Sequence, residues 1–311
     1  MKLQQNWPLR KTLRNKTIKY LFLVLALQAG TIVADEWLMP KGKHVLFGNY
    51  RLYYHCEGEN TPTVIIDGGI GDASANWLSI QSELATDMRV CLYDRAGYGM
   101  SDPGPGPRST SQIVEEIYLM MKTVGIPGPY LIVGQSFGGF TAQLFAKRYP
   151  VDTAGIVLVE SSHPRQSEML DDLDSLSSGE RKMVAGRQSY EFVESDPWRK
   201  QWLILNSKRK AVFAQMEELK YFRQSESEVL AAGDMPDIPV AVLTRDQRLL
   251  PTMKNEHSME DVWRELQRDL AKSSSQGWQE IVEGSSHNIH LDNPEAVIEA
   301  IRKVNKLSKT R

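Results

Sequence analysis

The sequence predicts an α/β protein in which a mostly parallel sheet is covered by helices on both faces. Two observations support this fold class. From residue 63 to the end of the chain, short apolar runs alternate with stretches of helical spacing, which is the pattern of repeated strand–helix–strand units. The 311 residues are 41% hydrophobic and 24% charged, so the chain can build one large core.

The predicted elements follow a regular order with one interruption. They are a hairpin over 41–58, strands at 63–67, 89–94, 130–134, 155–160, 239–244 and 279–282, and helices at 76–86, 111–124, 138–149, 259–272 and 294–304. The stretch from Pro164 to Pro236 is charged and helical without a strand, and we expect a cap above the sheet. A long surface excursion without a function is the alternative. The core would then comprise residues 41–163 and 237–311, and the cap 164–236.

The first forty residues have a different character from the rest. Basic residues between Lys2 and Lys19 precede the apolar run from Tyr20 to Ala34, as in a signal peptide or short membrane anchor. The run is shorter than the roughly 20 residues that span a bilayer, so a buried helix is a third interpretation. We expect residues 1–40 to be a signal peptide or membrane anchor. The rest of the chain would then lie on the periplasmic or extracellular side.

The strongest chemical motif is G-Q-S-F-G, from Gly134 to Gly138. It follows the apolar strand Y-L-I-V and opens a helix, and this context makes the pattern informative. The tight turn between strand and helix requires glycines where a Cβ would collide, and it lifts the Ser136 hydroxyl out of the sheet. The N-terminus of the helix favours developing negative charge. Ser136 is therefore the candidate nucleophile.

A serine nucleophile needs a base and an oxyanion hole. His287, in E-G-S-S-H after the strand at 279–282, is the candidate base. His290 could join it as a metal ligand, but no acidic or cysteine partner has suitable spacing. The backbone amides of Phe137 and Ile70 are the candidate oxyanion donors, because Ile70 lies in the glycine loop D-G-G-I-G.

Four segments of the chain form one set: D-G-G-I-G-D-A-S-A-N-W, Y-D-R-A-G-Y-G-M-S-D-P-G-P-G-P-R, P-Y-L-I-V-G-Q-S-F-G-G and V-L-V-E-S-S-H-P. Together they resemble the α/β-hydrolase superfamily, and within it the bacterial serine hydrolases and esterases that carry an amino-terminal hydrophobic anchor. The resemblance is close over residues 40–164 and looser over 237–305. It implies an α/β-hydrolase fold with a mostly parallel eight-stranded sheet, and a structural role for residues 94–102.

The carboxylate that orients His287 has two named candidates, with another carboxylate of the chain as a third alternative. Asp246 follows the strand at 239–244, which is the usual place of the acid in the α/β-hydrolase fold. However, the family's usual spacing from a glycine falls on Arg248. Glu160 ends an earlier strand, and some members of the fold carry the acid there. We expect Asp246 and keep Glu160 as the alternative.

The resemblance also bears on Cys56 and Cys91, the two cysteines of the chain. The second and fourth strands of this fold are neighbours, so the cysteines could form a disulfide, in keeping with an exported domain. Two buried free thiols are the other expectation, because cysteine is often buried.

Together these residues predict a serine hydrolase that cleaves a small ester-like substrate through an acyl-enzyme. Hydrolysis of C–C or amide bonds is an alternative, and so is a ligand sensor that does not turn over. A serine in this turn argues against the chemistry of dehalogenases and epoxide hydrolases, which use an aspartate there. The motifs imply no metal or organic cofactor. The net charge of -2 argues against nucleic acid as a partner.

Overall fold

The computed structural model describes residues 42–171, 204–246 and 256–310. They belong to a compact unit, Lys41–Arg311, that is distinct from residues 1–40. The predicted signal peptide or anchor lies outside the described residues, as does part of the predicted cap. Among the helices that are described, none is both long and apolar enough to cross a membrane.

Eight strands form one sheet in the order β1-β2-β4-β3-β5-β6-β7-β8. They are β1 (Lys43–Phe47), β2 (Tyr50–Glu57), β3 (Thr63–Asp67), β4 (Val90–Tyr93), β5 (Tyr130–Gln135), β6 (Thr153–Val159), β7 (Val240–Arg245) and β8 (Gly277–Val282). β2 runs antiparallel to β1 and β4, and the other neighbouring pairs are parallel. The predicted mostly parallel, eight-stranded sheet is confirmed.

Helices cover both faces of the sheet. They are α1 (Leu78–Leu84), α2 (Thr110–Thr123), α3 (Gly138–Arg148), α4 (Gln166–Asp171), α5 (Arg209–Lys220), α6 (Phe222–Ala231), α7 (Glu256–Lys272), α8 (Ile289–Asp292) and α9 (Pro294–Ser308). The helices α4, α5 and α6 come from the predicted cap, whose described part holds no strand. The sequence did not predict α8, because four residues are too few to show a helical period.

Alternate residues of the central strands pack into two separate clusters. Ile132 of β5 joins the cluster beneath α2 and α3, and its neighbours Leu131 and Val133 join the cluster beneath α1 and α9. A strand that is buried on both faces carries apolar side chains along its middle, and its polar residues lie at the ends, as Thr63 and Asp67 do in β3. This burial explains the continuous apolar runs that predict β3, β5 and β6.

The last helix, α9, begins where the Asn293 side chain accepts a hydrogen bond from the Ala296 amide. Pro294 occupies the first turn, where a missing N–H is harmless. Val297 and Ile301 are four residues apart and both are buried, so one stripe of α9 packs on the sheet.

The antiparallel edge of the sheet is tied covalently to its parallel part. Cys56 of β2 and Cys91 of β4 are direct partners in the strand register, and they form a disulfide. Of the two expectations for the cysteines, the structure therefore has the disulfide and not the free thiols.

Candidate active site

Three strand ends meet at one edge of the sheet. β5 lies between β3 and β6, and the three strands are parallel, so their carboxyl ends are adjacent. The residues that follow them are the glycine loop 68–71, Ser136 and Glu160. Gln135 pairs with Val159, which places Ser136 and Glu160 side by side along this edge. Sites of parallel α/β sheets form at this edge.

Ser136 lies in a strained turn between β5 and α3. Its φ of 51° is in the left-handed region, which costs a residue with a Cβ about 1–3 kcal/mol. The glycines of the motif make the turn sterically possible. A Cβ on Gly134 would overlap the Gly138 carbonyl oxygen, and one on Gly138 would overlap the Asp67 carbonyl oxygen. The structure thus forms the tight strand–helix turn that the G-Q-S-F-G motif predicts.

His287 lies in the loop after β8, with its ring against the Glu160 carboxylate. Nδ1 of His287 is 3.2 Å from Oε2 of Glu160. The Gln135 side chain donates to the His287 carbonyl at 3.3 Å, so the residue before Ser136 helps to hold this loop. The His287 side chain is 23% exposed and Glu160 is fully buried. Because Nδ1 faces Glu160, Nε2 is the nitrogen left for proton transfer.

Glu160 is held by more than His287. Its Oε1 accepts the Arg245 amide at 2.8 Å and Trp263 Nε1 at 3.2 Å, and its Oε2 accepts Arg245 Nη1 at 2.5 Å. Burial alone would raise the pKa of Glu160, but the Arg245 guanidinium and the bond to His287 outweigh it and lower that pKa below its ordinary value. Glu160 is therefore a buried carboxylate that stays ionised.

The carboxylate on His287 is thus the alternative candidate, and not the expected Asp246. The Asp246 side chain accepts the Gly284 amide at 3.1 Å, and its own amide donates to the Ser285 carbonyl at 3.0 Å. These bonds tie the end of β7 to the turn that precedes His287. Asp246 therefore supports the histidine loop, while Glu160, from the strand next to Ser136, reaches the ring.

The two predicted oxyanion donors lie on either side of the serine. Phe137 follows Ser136 directly. The glycine loop approaches from β3, since a Cβ on Gly69 would lie 3.1 Å from Cβ of Ser136. Within the described ranges, neither the Ile70 amide nor the Phe137 amide donates a hydrogen bond to the protein.

Sequence reasoning missed the side chain that holds the glycine loop. Arg95 donates to the carbonyls of Gly68 and Gly69, at 2.6 Å each, and to Oδ1 of Asp67 at 2.7 Å. It also forms an ion pair with Glu218 of α5. Arg95 belongs to residues 94–102, for which only a general structural role was predicted. An arginine between a buried strand and a glycine turn was the available signal.

His290 does not join His287 as a ligand pair. It is buried, its ring stacks on Trp77 at 4.2 Å, and Nε2 is 3.8 Å from Oδ2 of Asp72. Burial and the nearby His287 lower the pKa of His290 to about 3, so the imidazole is neutral. Among the residues that the structure describes, no group of three His, Cys, Asp or Glu could hold a metal ion.

A serine in a strained strand–helix turn, with a histidine–carboxylate contact at the end of the neighbouring strand, is typical of the α/β hydrolases. The family model described as "Alpha/beta hydrolase family" matches residues 64–300. The chain therefore belongs to the α/β-hydrolase family, and this membership supports a hydrolase activity.

Similar proteins agree with this family. The chain is 27% identical over 259 residues to the uncharacterized protein YqjL of Bacillus subtilis, a match that covers 80% of this chain and 86% of YqjL. The solved structure of a membrane phospholipase A matches with a TM-score of 0.67 and 19% identity, and the match covers 96% of this chain and 100% of the phospholipase chain. The enol-lactonase from Burkholderia xenovorans matches with a TM-score of 0.63 and 17% identity, and that match covers 85% of this chain and 100% of the lactonase chain. At these identities the two structures show the fold.

Proposed function

We propose that the protein is a serine hydrolase that cleaves a small ester-like substrate through an acyl-enzyme on Ser136. The observation that carries the proposal is the left-handed backbone of Ser136, one strand away from a buried Glu160 that contacts His287. A left-handed residue with a Cβ is costly, and such strain gathers at functional sites. In the α/β-hydrolase fold this turn presents the serine hydroxyl at the top of the sheet.

The acylation step uses four groups. Ser136 Oγ attacks the carbonyl carbon of the ester while His287 Nε2 takes the hydroxyl proton. The amides of Ile70 and Phe137 stabilise the negative charge that forms on the carbonyl oxygen. When the tetrahedral intermediate collapses, the C–O bond to the alcohol breaks, and His287 gives its proton to the leaving oxygen. The acyl group remains on Ser136.

The deacylation step repeats this chemistry with water. His287 takes a proton from water, and the hydroxide oxygen attacks the acyl carbon. The bond from the acyl carbon to Ser136 Oγ then breaks, and His287 returns its proton to the serine. The products are a carboxylic acid and a free enzyme, so no co-reactant besides water is required.

We assign the role of the orienting acid to Glu160. Its contact with Nδ1 keeps a proton on that nitrogen, so that Nε2 is free to accept the proton of Ser136. The ionised carboxylate also stabilises the imidazolium that forms in both steps. Asp246 is assigned to the support of the histidine loop, through its bond to Gly284.

The substrate class follows from the chemistry of the site and agrees with one structural neighbour. An oxyanion hole and a serine suit an acyl carbonyl, and an ester has the better leaving group than an amide. The enol-lactonase from Burkholderia xenovorans has the same fold, and a lactone is an internal ester. We infer that the substrate of the site is a small-molecule ester.

The test is labelling of the purified full-length protein with a fluorophosphonate, which modifies an activated serine. We expect the wild type to be labelled, Ser136→Ala to lose labelling, and His287→Ala to be labelled at least about 10²-fold more slowly. Ser207→Ala, at an exposed serine of the cap, is the matched control and should behave like the wild type. A folded wild type that does not react would overturn the proposal.

Turnover then separates the alternatives. We expect p-nitrophenyl acetate and butyrate to be hydrolysed by the wild type and not by Ser136→Ala. If Ser136 is acylated but the acyl group stays bound for hours, the ligand-sensor alternative is correct. If esters are not turned over while an amide or a C–C substrate is, the substrate class is wrong although the serine mechanism stands.

We further propose that the described domain is exported. The disulfide between Cys56 and Cys91 supports this location, because such bonds persist in oxidising compartments. The basic and apolar segment at 1–40 is the predicted export signal. Fractionation of the producing cells would test the proposal, and recovery of the protein with two free thiols in the cytosol would contradict it.

A further inference from the structure

A buried ion pair joins α5 of the cap to the core of the site. Arg95 Nε is 2.8 Å from Glu218 Oε1, and Nη2 is 3.1 Å from Oε2. The side chains are 2% and 0% exposed. Charges buried this deeply are stable only when they are paired, so loss of Glu218 would deprive Arg95 of one of its two carboxylate partners.

The other edge of the Arg95 guanidinium binds two carbonyls of the glycine loop, and the Gly69 carbonyl also accepts the Asp72 amide at 3.1 Å. Nη1 donates to the Gly68 carbonyl and Nη2 to the Gly69 carbonyl. In a trans peptide the C=O of one residue and the N–H of the next point in opposite directions. The bond to the Gly69 carbonyl therefore turns the Ile70 N–H away from Arg95.

The far end of the same loop also depends on the cap. Tyr98 Oη donates to Glu218 Oε2 at 2.6 Å and accepts the Gly71 amide at 3.1 Å. Asn206, which lies shortly before α5, donates to the Gly71 carbonyl. The two neighbours of Ile70 are thus both held: Gly69 by Arg95, and Gly71 by Tyr98. Both Arg95 and Tyr98 bind Glu218.

We propose that Glu218 is a positioning residue for the oxyanion loop, and that it acts through Arg95 and Tyr98 to aim the Ile70 amide at the oxyanion. The inference rests on the proposed serine hydrolase function. Docking of α5 on the core would then complete one of the two oxyanion donors.

The test compares two buried ion pairs of similar geometry. Glu218→Gln keeps the side-chain shape and removes the charge beside Arg95. Glu116→Gln does the same to the pair of Arg108 and Glu116, which is 2.6 Å long and 3% and 1% exposed. In the described part of the chain, neither of these two side chains has a hydrogen bond to the glycine loop. Both variants lose a buried charge pair, so both should melt at lower temperature than the wild type.

The kinetic expectation distinguishes positioning from stability. Loss of one oxyanion donor lowers kcat by about 10²–10³-fold, so a donor that is only misaligned should cost about 10- to 100-fold. We expect that loss of kcat in Glu218→Gln, with KM for p-nitrophenyl butyrate within about threefold of the wild type. Glu116→Gln should keep its kcat within about twofold. The proposal is overturned if the two variants have equal kcat, or if Glu218→Gln raises KM alone.

Two further measurements keep the test decisive. Tyr98→Phe removes only one hydroxyl, so it can take the place of Glu218→Gln if that variant does not fold. We expect Tyr98→Phe to lower kcat about 3- to 10-fold with KM unchanged. An unchanged kcat overturns the proposal. Hydrogen exchange of the amides 68–72 should be faster in Glu218→Gln than in the wild type and Glu116→Gln. If the wild type has no activity, the proposed function fails. The positioning role of Glu218 is tested separately, because equal hydrogen exchange of the amides 68–72 in all three proteins would overturn it.

Discussion

The substitution Glu160→Gln removes the charge behind His287 and preserves the shape of the side chain. In the wild type, Glu160 accepts hydrogen bonds from His287, from Arg245 and from Trp263. A glutamine has one acceptor oxygen, so its amide group must face at least one of these donors. Nδ1 of His287 then loses the carboxylate that keeps it protonated, and the imidazolium loses its counter-charge.

The size of the effect follows from the distances. A carboxylate 3.2 Å from an imidazolium stabilises it by about 5 kcal/mol at an effective dielectric constant of about 20. The Arg245 guanidinium lies 2.5 Å from the same oxygen and repels the imidazolium, so the net stabilisation is smaller. We take about 3–4 kcal/mol, which corresponds to a decrease of kcat by about 10²–10³-fold.

The assay is the steady-state hydrolysis of a p-nitrophenyl ester at pH 8, with Asp246→Asn as the matched comparator. Asp246 bonds to the Gly284 amide in the histidine loop, so its asparagine variant should lower kcat by less than about fivefold. Circular dichroism of each variant controls for folding. If Asp246→Asn lowers kcat more than Glu160→Gln does, the assignment of the acid to Glu160 is wrong.

Three further predictions concern stability. Gly139→Ala should destabilise the fold by about 1–3 kcal/mol, because a Cβ there would lie 2.6 Å from Ser161 Cβ, which cannot rotate away; an unchanged melting temperature would contradict this. The His290 pKa is lowered to about 3 from 6.5, so below pH 6.5 the unfolded chain takes up a proton that the folded chain does not. Urea unfolding should show a loss of about 2 kcal/mol from this group between pH 7 and 5 that is absent in His290→Phe, and equal losses in the two proteins would argue against it. The double variant Cys56→Ala/Cys91→Ala should lose about 3–4 kcal/mol, because the disulfide joins residues 35 apart in sequence; equal denaturant midpoints would refute the estimate.

The sheet could be predicted from the sequence because its central strands are buried on both faces. Such strands are apolar between their ends, so the apolar runs at β3, β5 and β6 mark them directly. The six strands from β3 to β8 begin and end within two residues of the predicted bounds. The tight turn at Ser136 could also be predicted from the sequence, because two glycines flank the serine between an apolar strand and a helix.

The acid was not decidable from sequence. Glu160 and Asp246 both follow buried strands, and their order along the chain does not say which carboxylate reaches His287. Which carboxylate contacts His287 depends on the path of the loop after β8 and on Arg245, whose guanidinium binds Glu160. Neither the loop path nor a rotamer leaves a periodic signal in the sequence.

The pair of Arg95 and Glu218 shows a second limit. The two residues are 123 positions apart, and Glu218 lies in a charged cap helix among other acidic residues. A buried arginine requires a carboxylate, but the sequence does not say which of many it will be. Only the docking of α5 on the core selects Glu218.

The Glu160–Arg245 pair also constrains how this site can change over evolutionary time. Arg245 is shared between two carboxylates, because its other guanidinium nitrogen pairs with Glu260 of α7. Asp246 already places a carboxylate at the end of β7, but Glu160 is the carboxylate that Arg245 binds and that contacts His287. Loss of Glu160 alone would take one of two counter-charges from a buried guanidinium and would also deprive His287 of its carboxylate. The acid at the end of β6 and the arginine at the end of β7 should therefore be inherited together as a single trait.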